Sequence, residues 1–421
     1  MKNIKSLVLL IVLLNINTSV FSQIIQQTGY IYSEIAATIS NIPSANGNEY
    51  SEPNLSQLNT WESTLNNLLL GNYSEASDSA NSIGYNLINF TDTFDTLNIT
   101  YYILQTADSN YWGTYVYNPN YCRALVIQSP HAKRDANTGH EGIHVFRETQ
   151  AMLYQVNGTH RCNSSLYTNC TGSTTSCSGN STSEPYRISD MAHVTQSVFQ
   201  KTTEVLLNSF NNTYFIQLHG FTKLSTDPYL ILSNGTKQTP AIDYILDFKN
   251  NLYNEDTVLT FKIAHIDTNW TRLRGFWNTQ GRLVNGSSNH CSASAINTSG
   301  RFFHIEQEKT RLRDNITGWN KVANALKTTF NYTPLSFKET IIEQDLKIYP
   351  NPTKHSITIK MNKNTSFDKD NLIYTLQGQN ISTQVFLLHN EYGNANVNLS
   401  KLPKGIYLLV INNSTIKIQK K

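Results

Sequence analysis

The chain has 421 residues, 39% of them hydrophobic and 11% aromatic, enough for two or three domains with at least one large core, and this excludes disorder throughout. Its net charge of +3 is close to balance, which removes nucleic acid and acidic membrane surfaces as expected partners. Only 15% of the residues are charged, and Asn, Ser and Thr take over the surface role. The chain opens with Lys2 and Lys5, an apolar run over residues 7–14, and mostly small residues over 19–22 before Gln23. That order is the pattern of a secretory signal peptide, residues 1–22, with an apolar stretch too short to cross a bilayer. No later segment reaches membrane-spanning length, so no transmembrane segment is expected.

Residues 23–120 are rich in Asn, Ser and Tyr, contain a helical stretch near 61–70, and are read as the N-terminal part of the main domain. From 121 to 332 strand and helix patterns alternate. A short apolar strand at 124–128 ends in Ser129-Pro130-His131. A helix follows at 140–149, with Ile143 and Phe146 at helical spacing, then a strand at 152–156 closed by Asn157-Gly158. Residues 190–210 read as a long helix capped by Ser189, and Asp190 and His193 at its opening are placed to bond a metal-ligating His. A third strand at 214–218 runs into His219-Gly220. A helix near 241–252, strands near 258–263 and 302–305, and an amphipathic helix over 318–330 complete the region. Alternation of this kind predicts an α/β fold, a mainly parallel sheet with helices on both faces.

After a linker at 333–343, short β-type runs appear at 356–361, 372–376, 385–388 and 406–412, the pattern of a small β-sandwich. The segment Leu346-Lys347-Ile348-Tyr349-Pro350-Asn351-Pro352 is followed by matches at 374–378, at Leu402-Pro403-Lys404-Gly405-Ile406-Tyr407, and in the basic end Lys417, Lys420 and Lys421. In these ordered motifs residues 344–421 resemble the type A C-terminal sorting domain of the type IX secretion system. The resemblance implies the type IX secretion machinery as a partner, export across an outer membrane, and a secreted or surface-attached product.

Five cysteines, Cys122, Cys162, Cys170, Cys177 and Cys291, fit an oxidising compartment. One local bridge is expected among Cys162, Cys170 and Cys177, which share a Ser/Thr/Gly-rich loop, and the odd count leaves at least one thiol free or paired between chains. The chemistry-bearing residues concentrate at strand ends, with His131 after the first strand, His160 after the second and His219 after the third. Two metal sites can be read. The first takes His131 and Asp135 from one loop and His219 from a distant strand end, a three-ligand zinc site with a position left for water. Zinc would lower the pKa of that water and polarise a carbonyl, with Glu306 as the carboxylate base. Arg161, Arg311 and Arg313 are candidates to grip a substrate carboxylate in two-point geometry. The second is His140-Glu141-Gly142-Ile143-His144, an HExxH string that places two His on one helix face with Glu141 beside them. Gly142 inside the helix and the lack of an obvious third ligand count against it.

The first arrangement resembles the zinc carboxypeptidase-like amidohydrolases, including the N-formylglutamate and poly-γ-glutamate branches. Carried over, the resemblance implies His131, Asp135 and His219 as metal ligands, Glu306 as catalytic carboxylate and Arg161 as the substrate-carboxylate residue. The His-x3-Asp spacing departs from the commoner His-x2-Glu. No Gly-x-Ser-x-Gly elbow, phosphate loop or dinucleotide glycine pattern is present. The sequence therefore points to an exported zinc-dependent hydrolase that cleaves an amide bond in a peptide or an acyl-amino acid. An HExxH peptidase at His140, Glu141 and His144 and a non-catalytic surface adhesin or glycan-binding protein are the alternatives.

Overall fold

The computed structural model describes residues 24–94, 98–179, 182–331, 347–360, 373–375, 380–382, 385–389, 394–411 and 414–421. Residues 1–22, read above as a signal peptide, the linker at 333–343 and Leu346 lie outside the described residues. The chain divides into two compact units, before and after residue 332.

The first unit is built on one ten-stranded sheet. Its amino-terminal part supplies β1 (Ile25–Gly29), α1 (Ile31–Ser40), α2 (Leu55–Leu70), α3 (Tyr73–Asn81), β2 (Tyr85–Asp92), β3 (Ile99–Thr106) and β4 (Thr114–Tyr117). The centre follows with β5 (Arg123–Ser129), α4 (Thr138–Thr149) and β6 (Ala151–Val156), then a cysteine-bearing loop holding the two-residue strands β7 (Ser173–Thr174) and β8 (Glu184–Pro185). After it come α5 (Val198–Ser209), β9 (Tyr214–Gly220), β10 (Leu230–Ser233), α6 (Tyr244–Glu255) and β11 (Phe261–Ile263). The unit closes with α7 (Thr279–Val284), β12 (Phe302–Gln307), one π-helical turn (Lys309–Arg313) and α8 (Ile316–Thr329).

Strand order across the sheet is β1-β2-β3-β4-β6-β5-β9-β12-β10-β11. The four central strands, β6, β5, β9 and β12, run parallel, and antiparallel neighbours join on both sides at β4 and β10. Successive side chains on a strand point to opposite faces. Leu125 and Ile127 of β5 therefore enter one core with α1, α4, α6 and α8, while Val126 enters the other with α2, α3 and α5. Both faces are covered, the condition under which parallel strands read as near-continuous apolar runs.

Local sequence explains most element ends. Asn54 and Gln57 form a reciprocal capping box that starts α2, and Gly71 at φ 80 ends it. Gly142 does not weaken α4 as its propensity suggests. A Cβ there would meet Ser129 Oγ and Tyr154 Cε2 at 2.5 Å, so the bare position lets α4 lie close on β5 and β6. The long helix expected over 190–210 is corrected: the helix begins only at Val198, where the Ser197 side chain accepts from the Gln200 amide. Residues 190–196 form a tight turn and bends, with the His193 amide donating to the Asp190 carbonyl at 2.8 Å.

Two disulfides form. Cys162–Cys177 is the local bridge expected from the loop, and Cys170 reaches Cys291 across 121 positions, leaving Cys122 free.

The described residues of the second unit form β-strands and the connections between them. An antiparallel sheet of β13 (Lys347–Tyr349), β14 (Ser356–Lys360), β17 (Asn394–Asn398) and β16 (Phe386–His389) shares one apolar core with a sheet of β15 (Ile373–Thr375), β18 (Gly405–Ile411) and β19 (Ser414–Lys420). Ile357 and Val397 enter it from the first sheet, and Ile373, Leu409 and Ile418 from the second. Among the described residues no helix is long and apolar enough to cross a membrane.

Candidate metal centre

The centre forms at the carboxyl ends of β5, β9 and β12, the edge of an open parallel sheet where ligands collect. β5 runs into a turn that the Asp135 amide closes on the His131 carbonyl at 2.9 Å. Thr138 holds the Asp135 carbonyl with its amide at 3.0 Å and its hydroxyl at 2.8 Å, so both side chains of the turn are fixed before α4 starts. His219 is the penultimate residue of β9, and Glu306 on β12 stands opposite it in register. Gln217 and His219 share a face of β9, and His304 and Glu306 share the same face of β12.

Asp135 Oδ2 lies 3.2 Å from His131 Nδ1 and 3.3 Å from His219 Nδ1. The outer nitrogens are engaged: His131 Nε2 is 2.8 Å from Asp190 Oδ1 and His219 Nε2 is 2.7 Å from Gln217 Oε1. An outer carboxylate or amide on the far nitrogen is how proteins fix the ring and tautomer of a metal-binding His. Ligand atoms of His131, Asp135 and His219 all lie within 4.8 Å of one another, as do those of His131, Asp190 and His193, and those of His219, His304 and Glu306. These side chains can hold a metal ion, and they are one continuous cluster sharing His131 and His219.

Asp190 is its outer hub. Besides His131 it meets His193 Nδ1 at 2.9 Å and takes the Arg161 guanidinium at 3.1 and 2.5 Å. The Arg161 guanidinium lies against Asp190. Of the other two arginines, Arg313 donates to the carbonyls of Gln307 and Phe221, and Arg311 lies 3.4 Å from Asp256. His193 is stacked on Tyr186 with centroids 3.7 Å apart. The cluster is closely buried, His131 being 1% exposed and His219 3%, and its more open members are Arg161 and His193 at 11% and 16% of the side chain.

Burial pulls the His219 pKa down to about 4, with the Asp135 hydrogen bond opposing, and burial together with His219 holds His304 well below the usual range. Burial resists the charge on Asp135, but His131 and His219 outweigh it and hold its carboxyl well below the usual value. Asp190 is likewise held low, against burial, by Arg161, His193 and His131. Burial and Arg161 oppose a charge on His131, but Asp190 and Asp135 outweigh them and raise its pKa. The anionic carboxylates and the neutral His219 are thus in the states that ligate a cation, and His131 would give up its proton on taking one. Burial first, and Asp135 second, push Glu306 up to about 8. Its Oε2 and His304 Nδ1 are buried with no hydrogen-bond partner, two donor atoms that a bound cation or its water would satisfy.

The HExxH string lies elsewhere. Gln307, adjacent to Glu306 on β12, points to the opposite face and donates to Glu141 Oε2 at 2.9 Å. α4 therefore packs on the face of the sheet away from the cluster. His140 Nδ1 meets Tyr32 of α1 at 3.4 Å and His144 Nε2 meets Asn320 of α8 at 2.7 Å. Among the described residues neither His joins a metal-capable group.

Residues 347–421 match the family described as Secretion system C-terminal sorting domain. The chain carries a type IX sorting domain. It is exported by that route, to the cell surface or beyond, and engages the type IX machinery. A comparison with curated proteins found no match. A solved structure, N-formylglutamate amidohydrolase from Ralstonia eutropha JMP134, is similar over 52% of this chain and 96% of its own, at 9% identity and a TM-score of 0.32. A likeness at that level assigns no activity.

Sequence reading missed the row of amides that seats His219. Gln155, Gln128 and Gln217 lie side by side on β6, β5 and β9, linked at 2.8 and 3.0 Å, and Gln217 continues to Gln280 at 3.2 Å. A signal was available: each of these three apolar strands carries a single Gln, penultimate in β5 and β6 and two before the penultimate His219 in β9. A buried amide repeated at matched register asks for a shared network.

Proposed function

We propose that this sorted protein is a metal-dependent hydrolase of an amide bond, with zinc as the metal. The observation that carries the reading is Asp135 Oδ2 set between the Nδ1 atoms of His131 and His219, with both outer nitrogens already held. Two imidazoles and one carboxylate suit zinc in its three-ligand catalytic form. The zinc would supply an activated water and polarise the scissile carbonyl. Glu306 is the buried carboxyl placed to hold or pass the proton, its free Oε2 lying on the same face as His219. Arg161 acts as a positioning residue, keeping Asp190 charged behind His131.

Elemental analysis of the purified mature chain tests the reading. One zinc per chain is expected, lost in His219→Ala and kept in His144→Ala, with hydrolysis of N-acyl amino acids or short peptides lost in step with the metal. A chain that binds no zinc and cleaves no amide would instead be a surface-binding protein.

A further inference from the structure

A second hollow, of about 630 Å³, lies between the loop after β9, the turn after β12 and the start of α8, and none of its lining residues belongs to the metal-capable cluster. Three cations line it, Lys223, Arg311 and Lys321, against one acid, Glu308. That acid is already occupied: its two oxygens accept the Thr310 and Arg311 amides at 2.7 and 2.8 Å. Behind the wall a single carboxylate, Asp256, serves both Lys321 at 2.8 Å and Arg311 at 3.4 Å. Lys223 has no acidic partner among the described residues. Its ammonium donates to the neighbouring Leu224 carbonyl at 3.2 Å and sits 5.2 Å from the Tyr229 ring, against which Arg311 also lies at 5.6 Å.

Like charges gathered around one hollow repel, and they focus a positive potential into it. The first turn of α8, which lines the same hollow, adds the partial positive charge of a helix start. The volume far exceeds one free ion and falls in the range of small-molecule sites. Ser225, Thr310 and Asn315 add hydroxyl and amide groups around the cations.

We infer that this hollow binds an oxyanion carried on a saccharide, a sulfated sugar met outside the cell, with Lys223 and Arg311 gripping the sulfate group. The inference is independent of the metal-centre reading. The test is calorimetric titration of the mature chain with a sulfated tetrasaccharide, its desulfated counterpart and inorganic sulfate. Saturable binding of the sulfated sugar is expected, at least about tenfold tighter than the desulfated one and weakened by salt. Lys223→Ala should lower affinity about tenfold and Lys223→Glu abolish it, with unchanged melting temperatures, because Lys223 is partly exposed and bonded only to its neighbour's carbonyl. Binding should persist in His219→Ala and in chelator. Equal affinity for both sugars, or full binding by Lys223→Glu, overturns the inference. Binding of inorganic sulfate alone overturns the saccharide, and binding lost with His219 moves the anion to the metal centre.

Discussion

Two glutamates, one on each face of the sheet, show how place decides role. Glu141 on α4 and Glu306 on β12 are both buried, and burial pushes both up to about 8. Glu306 stands among histidines and Asp135, at the strand ends where a ligand can arrive. Glu141 faces Gln307, with Arg313 near enough to lower its pKa against burial, under a helix packed on the sheet. Its Oε1 and Gln307 Oε1 are buried acceptors with no partner, which a proton on Glu141 would relieve. The literal motif fell to the structural carboxyl, and the unremarkable Phe303-His304-Ile305-Glu306 supplied the one in the cluster.

The widest separation between the two is expected in activity. Glu306→Gln should lower hydrolysis by about 10²- to 10⁴-fold while zinc content stays at the wild-type level, the signature of a lost proton-transfer group. Glu141→Gln should leave the rate within about twofold. Equal losses in both variants would erase the distinction.

Stability gives Glu141 a readout of its own. An acid whose folded pKa lies near 8, above its ordinary 4.5, binds its proton more tightly folded than unfolded. Glu141 therefore costs nothing below about pH 4.5, and it destabilises progressively as pH rises toward 8, by on the order of 5 kcal/mol in all. Glu141→Gln should remove its share of that slope, Glu306 contributing the rest by the same argument, and should melt near wild type at pH 5 and above it at pH 9 in metal-free protein. Tryptophan fluorescence reads this unit alone, because all five Trp precede residue 320. A wild-type melting profile flat from pH 5 to 9 would show Glu141 to be solvated or otherwise paired.

Asp190 tests whether the cluster has an outer layer. Asp190→Asn keeps the shape but removes the charge behind His131 and His193, and zinc affinity should fall about 10- to 100-fold in chelator competition. Unchanged affinity would reduce Asp190 to a partner for Arg161.

The strand-and-helix alternation was legible because each element carries its own period, and the His131, Asp135 and His219 set because both His close apolar runs and Asp135 lies four positions after His131. What escaped was long-range. Asp190 reads as a helix opening from sequence, since Ser189 and Asp190 are cap residues, yet the true cap is Ser197, and Asp190 is drawn inward by Arg161 and His131 from distant segments, with His193 three positions on joining them. Local propensity carries no information about such a pull. The Cys170–Cys291 link was invisible for the same reason, its partners standing 121 positions apart.

Gly142 offers the smallest effect and the sharpest sign. In an exposed helix Gly→Ala stabilises by about 1 kcal/mol, because Gly gives up more backbone entropy on folding. Here the new methyl would press on Ser129 Oγ and Tyr154 Cε2, and overpacking of that kind costs about 1–3 kcal/mol. Gly142→Ala should therefore be destabilising by about 1 kcal/mol net, and the displaced helix should disturb Ser129, one residue before the turn that carries His131. A gain in melting temperature would mean that α4 stands off the sheet, and the separation of Glu141 from Glu306 would lose its structural basis.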